Sequence, residues 1–285
     1  MDHPKVSIIL PAYNEEQSIG HSVTKIKILY PNYEILVIDD GSTDNTAQIA
    51  MDAGAKVWSH PYNIGNGAAV KSGIRRASGE YLIMMDADGQ HNPADISKLL
   101  EHKGLYDMAV GARTSDSQTS SHRNFANWVF NKLATYVSKF KVQDLTSGFR
   151  MVKRETALKF TYLLPNTFSY PTTITLAYLR SGRSIKYVPI QTKARKGKSK
   201  IKLFRDGIRF LLIITKIATL FSPLRIFLPV SFFFFLTGNT YYAYTFYIGH
   251  RFTNMTALLL STSIIIFMMG LVSEQICHMR YDRTD

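Results

Sequence analysis

The sequence predicts an α/β domain of the doubly wound kind, followed by an amphipathic helix and two membrane-crossing helices. Three observations carry that expectation. Strand-like and helix-like patterns alternate through residues 1–112, four of the strands end in polar clusters, and two long stretches beyond residue 225 hold no charged residue. Boundaries follow at 1–200 for the α/β domain, 201–222 for the amphipathic helix and 223–285 for the hairpin with a short tail.

The strand candidates are VSIIL (6–10), EILVID (34–39), AKVWSH (55–60), EYLIMMD (80–86) and DMAVGA (107–112). Each is short and apolar, as strands covered on both faces of a parallel sheet should be. Helix patterns fill the gaps at Glu15–Leu29, Asp44–Ala53 and Gly67–Ala77, and Ser42, Thr43 or Asp44 can cap the second. Alternation of this sort implies a doubly wound sheet, which binds ligands beyond the carboxyl ends of its strands. PAYNEE, DDGSTDNT, HPYNIGNG and DADGQH occupy four such ends in succession. One Asp-Gly pair is ordinary turn chemistry; four polar clusters at four equivalent ends point to a site. No phosphate-binding GxxxxGK[ST] loop is present, and NIGNGA does not make the dinucleotide fingerprint, so a nucleotide is held without either.

The segment YLIMMDADGQH (81–91) sharpens this reading. Asp86 and Asp88 repel one another at the end of a buried strand unless a cation lies between them. Both are hard oxygen ligands suited to Mg²⁺ or Mn²⁺, with Gln90 or His91 able to complete the set.

Charge and composition narrow the partners. Lys and Arg number 34 against 21 Asp and Glu, a net charge of +13 that favours an anionic partner. The excess gathers beside the apolar stretches and no nucleic-acid module is present, which argues for membrane and phosphorylated substrate over nucleic acid. Cys277 is the single cysteine, so no disulfide forms within the chain. The N-terminal apolar run before Pro11 is too short for a signal peptide, so the first domain is expected in the cytoplasm.

Residues 226–249 and 252–273, 24 and 22 residues without a charge, each match the ~20 residues of a spanning helix. Tyr241, Tyr242, Tyr244 and Tyr247 suit an interfacial aromatic belt. Basic residues crowd the approach to the first stretch, which places both chain ends on the cytoplasmic side. Glu274, just past the second stretch and near the interface, suits a snorkelling or helix-pairing role more than a functional one. Lys202, Arg205, Arg209 and Lys216 share one narrow arc of a helix over 201–221, at the membrane interface, against the soluble domain, or both.

Taken together, PAYNEE (11–16), DDGSTDNT (39–46), NIGNGAAVKSG (63–73), DADGQH (86–91), DLTSGFR (144–150) and RKGKSK (195–200) resemble the family 2 glycosyltransferases of GT-A fold. The likeness is greatest to the dolichyl-phosphate mannose synthase and polyprenyl-phosphate glucosyltransferase branch. That resemblance implies an inverting transfer of a hexose from a GDP-mannose or UDP-glucose type of donor to undecaprenyl or dolichyl monophosphate. Addition of the sugar to a hydroxyl of a lipid-linked glycan is the alternative, and a noncatalytic nucleotide-sugar-binding scaffold is the rival outside enzymes. By the same resemblance Pro11, Tyr13, Asn14 and Glu15 line the nucleotide pocket, with Lys71 beside them and Asp39 or Asp40 on base or ribose. Asp86, Asp88 and Gln90 hold the metal on the donor diphosphate. The QxxRW motif of processive synthases is absent, which argues against chain polymerisation.

A phosphate acceptor, with a second pKa near ~6, is already nucleophilic at neutral pH and needs cations more than a base. Arg113, Arg123 and Arg150, with Arg195, Lys196, Lys198 and Lys200 in one basic run, are the candidates. That run also suits anionic lipid headgroups. Residues 114–125 are expected to form an acceptor loop, and Asp144 to orient acceptor or sugar, to serve as a base, or to cap a strand. Asp88, Arg113, Arg123 and Asp144 are thus the catalytic candidates, and pairing of hairpins would join subunits.

Overall fold

The structure is a computed structural model that describes residues 6–113, 128, 131–132, 134–136, 138–166, 169–192, 219 and 222–281. It divides into two units, residues 1–135 with 140–200 and residues 136–139 with 201–285.

In the first unit β1 (Val6–Ala12), β2 (Glu34–Asp39), β3 (Lys56–Ser59) and β4 (Tyr81–Met84) are joined by α1 (Ile19–Leu29), α2 (Thr46–Asp52) and α3 (Asn66–Arg76). Then come α4 (Ile96–Leu100), β5 (Met108–Arg113), β6 (Arg150–Lys153), α5 (Arg154–Phe160), α6 (Tyr170–Arg180) and β7 (Ile185–Ile190). The sheet runs β3-β2-β1-β4-β6-β5-β7. β1 pairs in parallel with β2 and β4, so the strand order reverses beside β1 and opens a crevice at its carboxyl end. Period-two alternation builds the core: Ile8, Leu10, Val37 and Ile83 pack with Ile19, Val23 and Ile26, spaced to share one side of α1.

The five strands read from sequence are present, with three differences. β3 is an edge strand with a single neighbour and is largely exposed, not buried; Trp58 lies in the open beneath the Arg76 guanidinium, 3.6 Å from the ring centroid. β6 is antiparallel and lies between β4 and β5, and β7 pairs in parallel with β5 outside it. Helix α1 begins at Ile19 because Glu15 O takes the amides of Ser18 and Ile19 in a preceding turn. Asp44, one of the three expected capping residues, receives Thr46 N–H at 3.0 Å at the start of α2.

In the second unit α7 (Leu224–Gly249) and α8 (Asn254–Tyr281) form an antiparallel hairpin, both helices long and apolar enough to cross a membrane. Ser231 and Ser263 exchange hydroxyl-to-carbonyl hydrogen bonds of 2.9 Å across the pair. Glu274 accepts Leu224 N–H at 3.1 Å, capping the start of α7 from the far end of α8. The helix expected over 201–222 lies outside the described residues except for positions 219 and 222.

Candidate active site

The polar clusters at the ends of β1 to β4 are stitched to one another. Asn14, with φ of 53°, occupies the left-handed region that asparagine tolerates. Its backbone N–H donates to Ser42 Oγ at 2.9 Å while its Oδ1 accepts Thr43 N–H at 2.9 Å. Glu15 N–H donates to Thr46 Oγ1 at 2.8 Å. These bonds hold PAYNEE against DDGSTDNT and leave Tyr13 44% exposed beside buried Pro11. Ser18 Oγ donates to Ala87 O at 2.9 Å and to Glu15 Oε2 at 2.9 Å, which ties the aspartate pair to the same wall.

Asp39 and Asp40 prove unequal. Asp40 is 2% exposed, and its carboxylate accepts Ile64 N–H at 3.1 Å and Gly65 N–H at 2.8 Å and meets His60 Nδ1 at 2.7 Å. His60 reaches Ser72 Oγ at 2.8 Å with its other nitrogen. Gly65, with φ of 121°, bends the chain back so that its amide can reach Asp40. Asp40 is therefore a bracket for the NIGNG loop and is corrected from base or ribose contact to scaffold. Asp39 commits one oxygen, to Ser42 N–H at 3.2 Å, and keeps the other open among the described contacts. Lys71 is tied to a neighbouring loop. Its ammonium donates to Leu164 O at 3.1 Å and to Asn166 Oδ1, and burial, with Arg75 nearby, holds it below the ordinary lysine range.

Asp86 is 34% exposed at its side chain, accepts no hydrogen bond among the described residues, and faces His91 Nε2 at 3.8 Å. His91 is stacked on Phe149 with ring centroids 5.1 Å apart. Asp88 Oδ1 receives Gln90 N–H at 3.1 Å, so Gln90 enters through its backbone. Among the described residues no cluster of three or more His, Cys, Asp or Glu forms a self-sufficient metal cage. Two carboxylates, one with its lone pairs uncommitted, fit a divalent ion whose remaining ligands are water and phosphate oxygens.

Arg113, at the end of β5, meets Asp144 in a fork: Nε to Oδ2 at 2.8 Å and Nη2 to Oδ1 at 2.8 Å, with Nη2 also 2.6 Å from Thr146 Oγ1. Its Nη1 has no protein acceptor among the described residues. Asp144 further accepts the amides of Arg113, Thr146 and Ser147 at 3.2, 3.2 and 3.1 Å. Burial pushes the Asp144 pKa up, but the Arg113 guanidinium and the amide donors outweigh it and hold the carboxyl below its usual range. Arg113 is likewise pulled down by burial and raised overall by Asp144. Both oxygens of Asp144 are committed, and the pairing with Arg113 disfavours its protonation.

Arg150 is 0% exposed. Its guanidinium donates to Pro171 O and Thr175 Oγ1 at 3.0 Å each and to Ser147 O. It is corrected from phosphate contact to buried support for the 144–149 segment. Arg123, Arg195, Lys196, Lys198 and Lys200 lie outside the described residues. His60 and Ser72 lie within the HPYNIGNG and NIGNGAAVKSG segments, but sequence reading gives neither a role; the Asp40–His60–Ser72 chain of bonds reveals it.

A twisted sheet with its polar residues at one strand-end crevice, plus an apolar hairpin, defines a membrane-associated enzyme of the nucleotide-binding α/β class. Residues 7–159 match the family model described as glycosyl transferase family 2, and residues 222–279 match the GtrB C-terminal hairpin. The chain belongs to glycosyl transferase family 2. It is 30% identical to polyprenol monophosphomannose synthase of Mycolicibacterium smegmatis over 68% of this chain and 80% of that one. With undecaprenyl-phosphate 4-deoxy-4-formamido-L-arabinose transferase of Photorhabdus laumondii it shares 31% over 59% of this chain and 58% of that protein. Glucosyl-3-phosphoglycerate synthase of Mycobacterium tuberculosis, crystallised with Mn²⁺ and UDP-glucose, has the same fold, with a TM-score of 0.59 and 22% identity over 74% of this chain and 79% of that one.

Proposed function

We propose that the chain transfers a hexose, with inversion, from a nucleotide-diphosphate sugar of the GDP-mannose or UDP-glucose type to a polyprenyl monophosphate. A single observation carries the choice of acceptor. Asp144 is held by Arg113 in a fork that disfavours its taking a proton from a hydroxyl, whereas a cation with one uncommitted nitrogen stands ready for an anionic nucleophile. One relative is named as a polyprenol monophosphomannose synthase and the other as an undecaprenyl-phosphate formamido-arabinose transferase, which supports this acceptor, and their different sugars leave the donor sugar open.

In this reading Pro11, Tyr13, Asn14, Glu15 and Asp39 receive the nucleotide in the crevice beside β1. Asp86 and Asp88 hold Mg²⁺ or Mn²⁺, which when bound neutralises charge on the leaving diphosphate. Arg113 fixes the acceptor phosphate so that one of its oxygens attacks the anomeric carbon as the bond to the nucleotide diphosphate breaks. Arg123, Arg195, Lys198 and Lys200 add positive potential where two anions must approach. The hairpin anchors the catalytic unit at the cytoplasmic face of the membrane with both termini inside, and pairs between copies.

The test is transfer from radiolabelled nucleotide sugars to undecaprenyl phosphate by the purified chain. Asp88→Ala is expected to lower transfer by 100-fold or more, on the order of a lost transition-state charge interaction, and EDTA to stop it. Glycosylation of a lipid-linked sugar but not of the lipid phosphate would replace this reading with the hydroxyl-acceptor one.

A further inference from the structure

Gly148 has no backbone need to be glycine. Its φ lies outside the left-handed region, so alanine can adopt the same conformation. What excludes a side chain is Asp86: a Cβ on Gly148 would lie 2.7 Å from Oδ2, 3.0 Å from Oδ1 and 3.1 Å from Cγ. The carboxylate therefore rests broadside on the Gly148 Cα, with His91 Nε2 at 3.8 Å from Oδ2. Since Asp86 accepts no hydrogen bond among the described residues, contact rather than bonding sets its direction.

The platform beneath it is firmly held. Ser147 N–H donates to Asp144 at 3.1 Å, Ser147 O receives the buried Arg150 guanidinium, and Gly148 O lies 3.5 Å from Tyr170 Oη. We infer that Gly148 is a positioning residue that aims the Asp86 carboxylate at the divalent ion, with Arg150 as the strut that keeps it there. The same segment holds Arg113 through Asp144 and Thr146, so one rigid loop sets the direction of both the metal carboxylate and the acceptor cation. The inference rests on the proposed reading of Asp86 as a metal ligand.

The experiment titrates Mn²⁺ into the full-length chain in detergent, read by the free-ion electron paramagnetic resonance signal, alongside thermal unfolding. Outer contacts that orient a ligand change metal affinity by about 10–100-fold, and Gly148→Ala is expected to weaken Mn²⁺ binding within that range. In an Asp86→Ala background, where the space is vacated, adding Gly148→Ala is expected to change neither residual affinity nor unfolding midpoint. If Gly148→Ala alone does not fold, the Asp86→Ala/Gly148→Ala chain is expected to fold again. Unchanged Mn²⁺ affinity in Gly148→Ala, or a double variant that stays unfolded, would overturn the inference. A wild-type chain that takes up no Mn²⁺ would instead overturn the metal reading beneath it, before any variant is compared.

Discussion

Arg113 spends two nitrogens on Asp144, and in the proposed reading its Nη1 meets the acceptor phosphate, which fixes what substitutions there do. Lysine supplies one point charge and cannot span the fork. Arg113→Lys is expected to raise the acceptor KM by about 10–100-fold, the scale of a lost hydrogen bond to a charged group, with the donor KM little changed. Asp144→Asn is expected to lower kcat/KM while leaving the shape of the pH–rate profile intact; loss of a limb from that profile would restore Asp144 as a base. At the opposite end of the sheet Glu34 accepts from Ser7, Ser78 and Lys56. Burial raises its pKa, but these donors outweigh it and bring it from 4.5 to about 2. A depressed carboxyl stabilises the fold above its unfolded value. Glu34→Gln should therefore lower the unfolding midpoint at neutral pH, and the gap to wild type should close as pH falls from about 4.5 to about 2. That Asp39, Asp86 and Arg113 gather at strand ends was legible from the strand pattern. Arg150 was not: an arginine in a motif reads alike whether it faces a ligand or, as here, a ring of carbonyls.

Among the elements, the strands that alternate with helices announced themselves, and β6 and β7 did not. β6 is four residues long with a basic residue at each end, and its apolar content resembles a turn more than a central strand. Only its pairing with both β4 and β5 reveals that it is covered. β3 misled in the other direction, since Val57 and Trp58 read as core while an edge position leaves Val57 half-buried against the core and Trp58 exposed. In the hairpin, the Ser231–Ser263 bonds are side chain to backbone and reciprocal. Ser231→Ala and Ser263→Ala are each expected to weaken helix pairing by about 0.6 kcal/mol, the average for such bonds within membranes, measurable by unfolding in mixed micelles.

At the scale of the whole molecule, the +13 charge and the hairpin make opposite claims about membrane attachment. Charge alone is screened away by salt; an embedded helix pair is not. Membranes containing the chain are expected to retain it through high-salt and alkaline-carbonate washes and to release it in detergent. Release by salt would mean that the helices do not span. Both helices were legible because length and absence of charge are properties of sequence alone. The arrangement of the strand-end loops was not, since it depends on bonds such as Asn14 to Thr43 between residues 29 apart.

The placement of β6 has a consequence for how the chain is made. Synthesis delivers β4 and β5 long before Arg150–Lys153, yet that strand belongs between them. Until it emerges from the ribosome, β4 has a partner only in β1, and β5 has neither β6 nor β7 to pair with. Nascent chains arrested once β5 has cleared the exit tunnel, but before Arg150–Lys153 has, are therefore expected to be open to protease at β5, with resistance acquired in one late step once β7 has emerged.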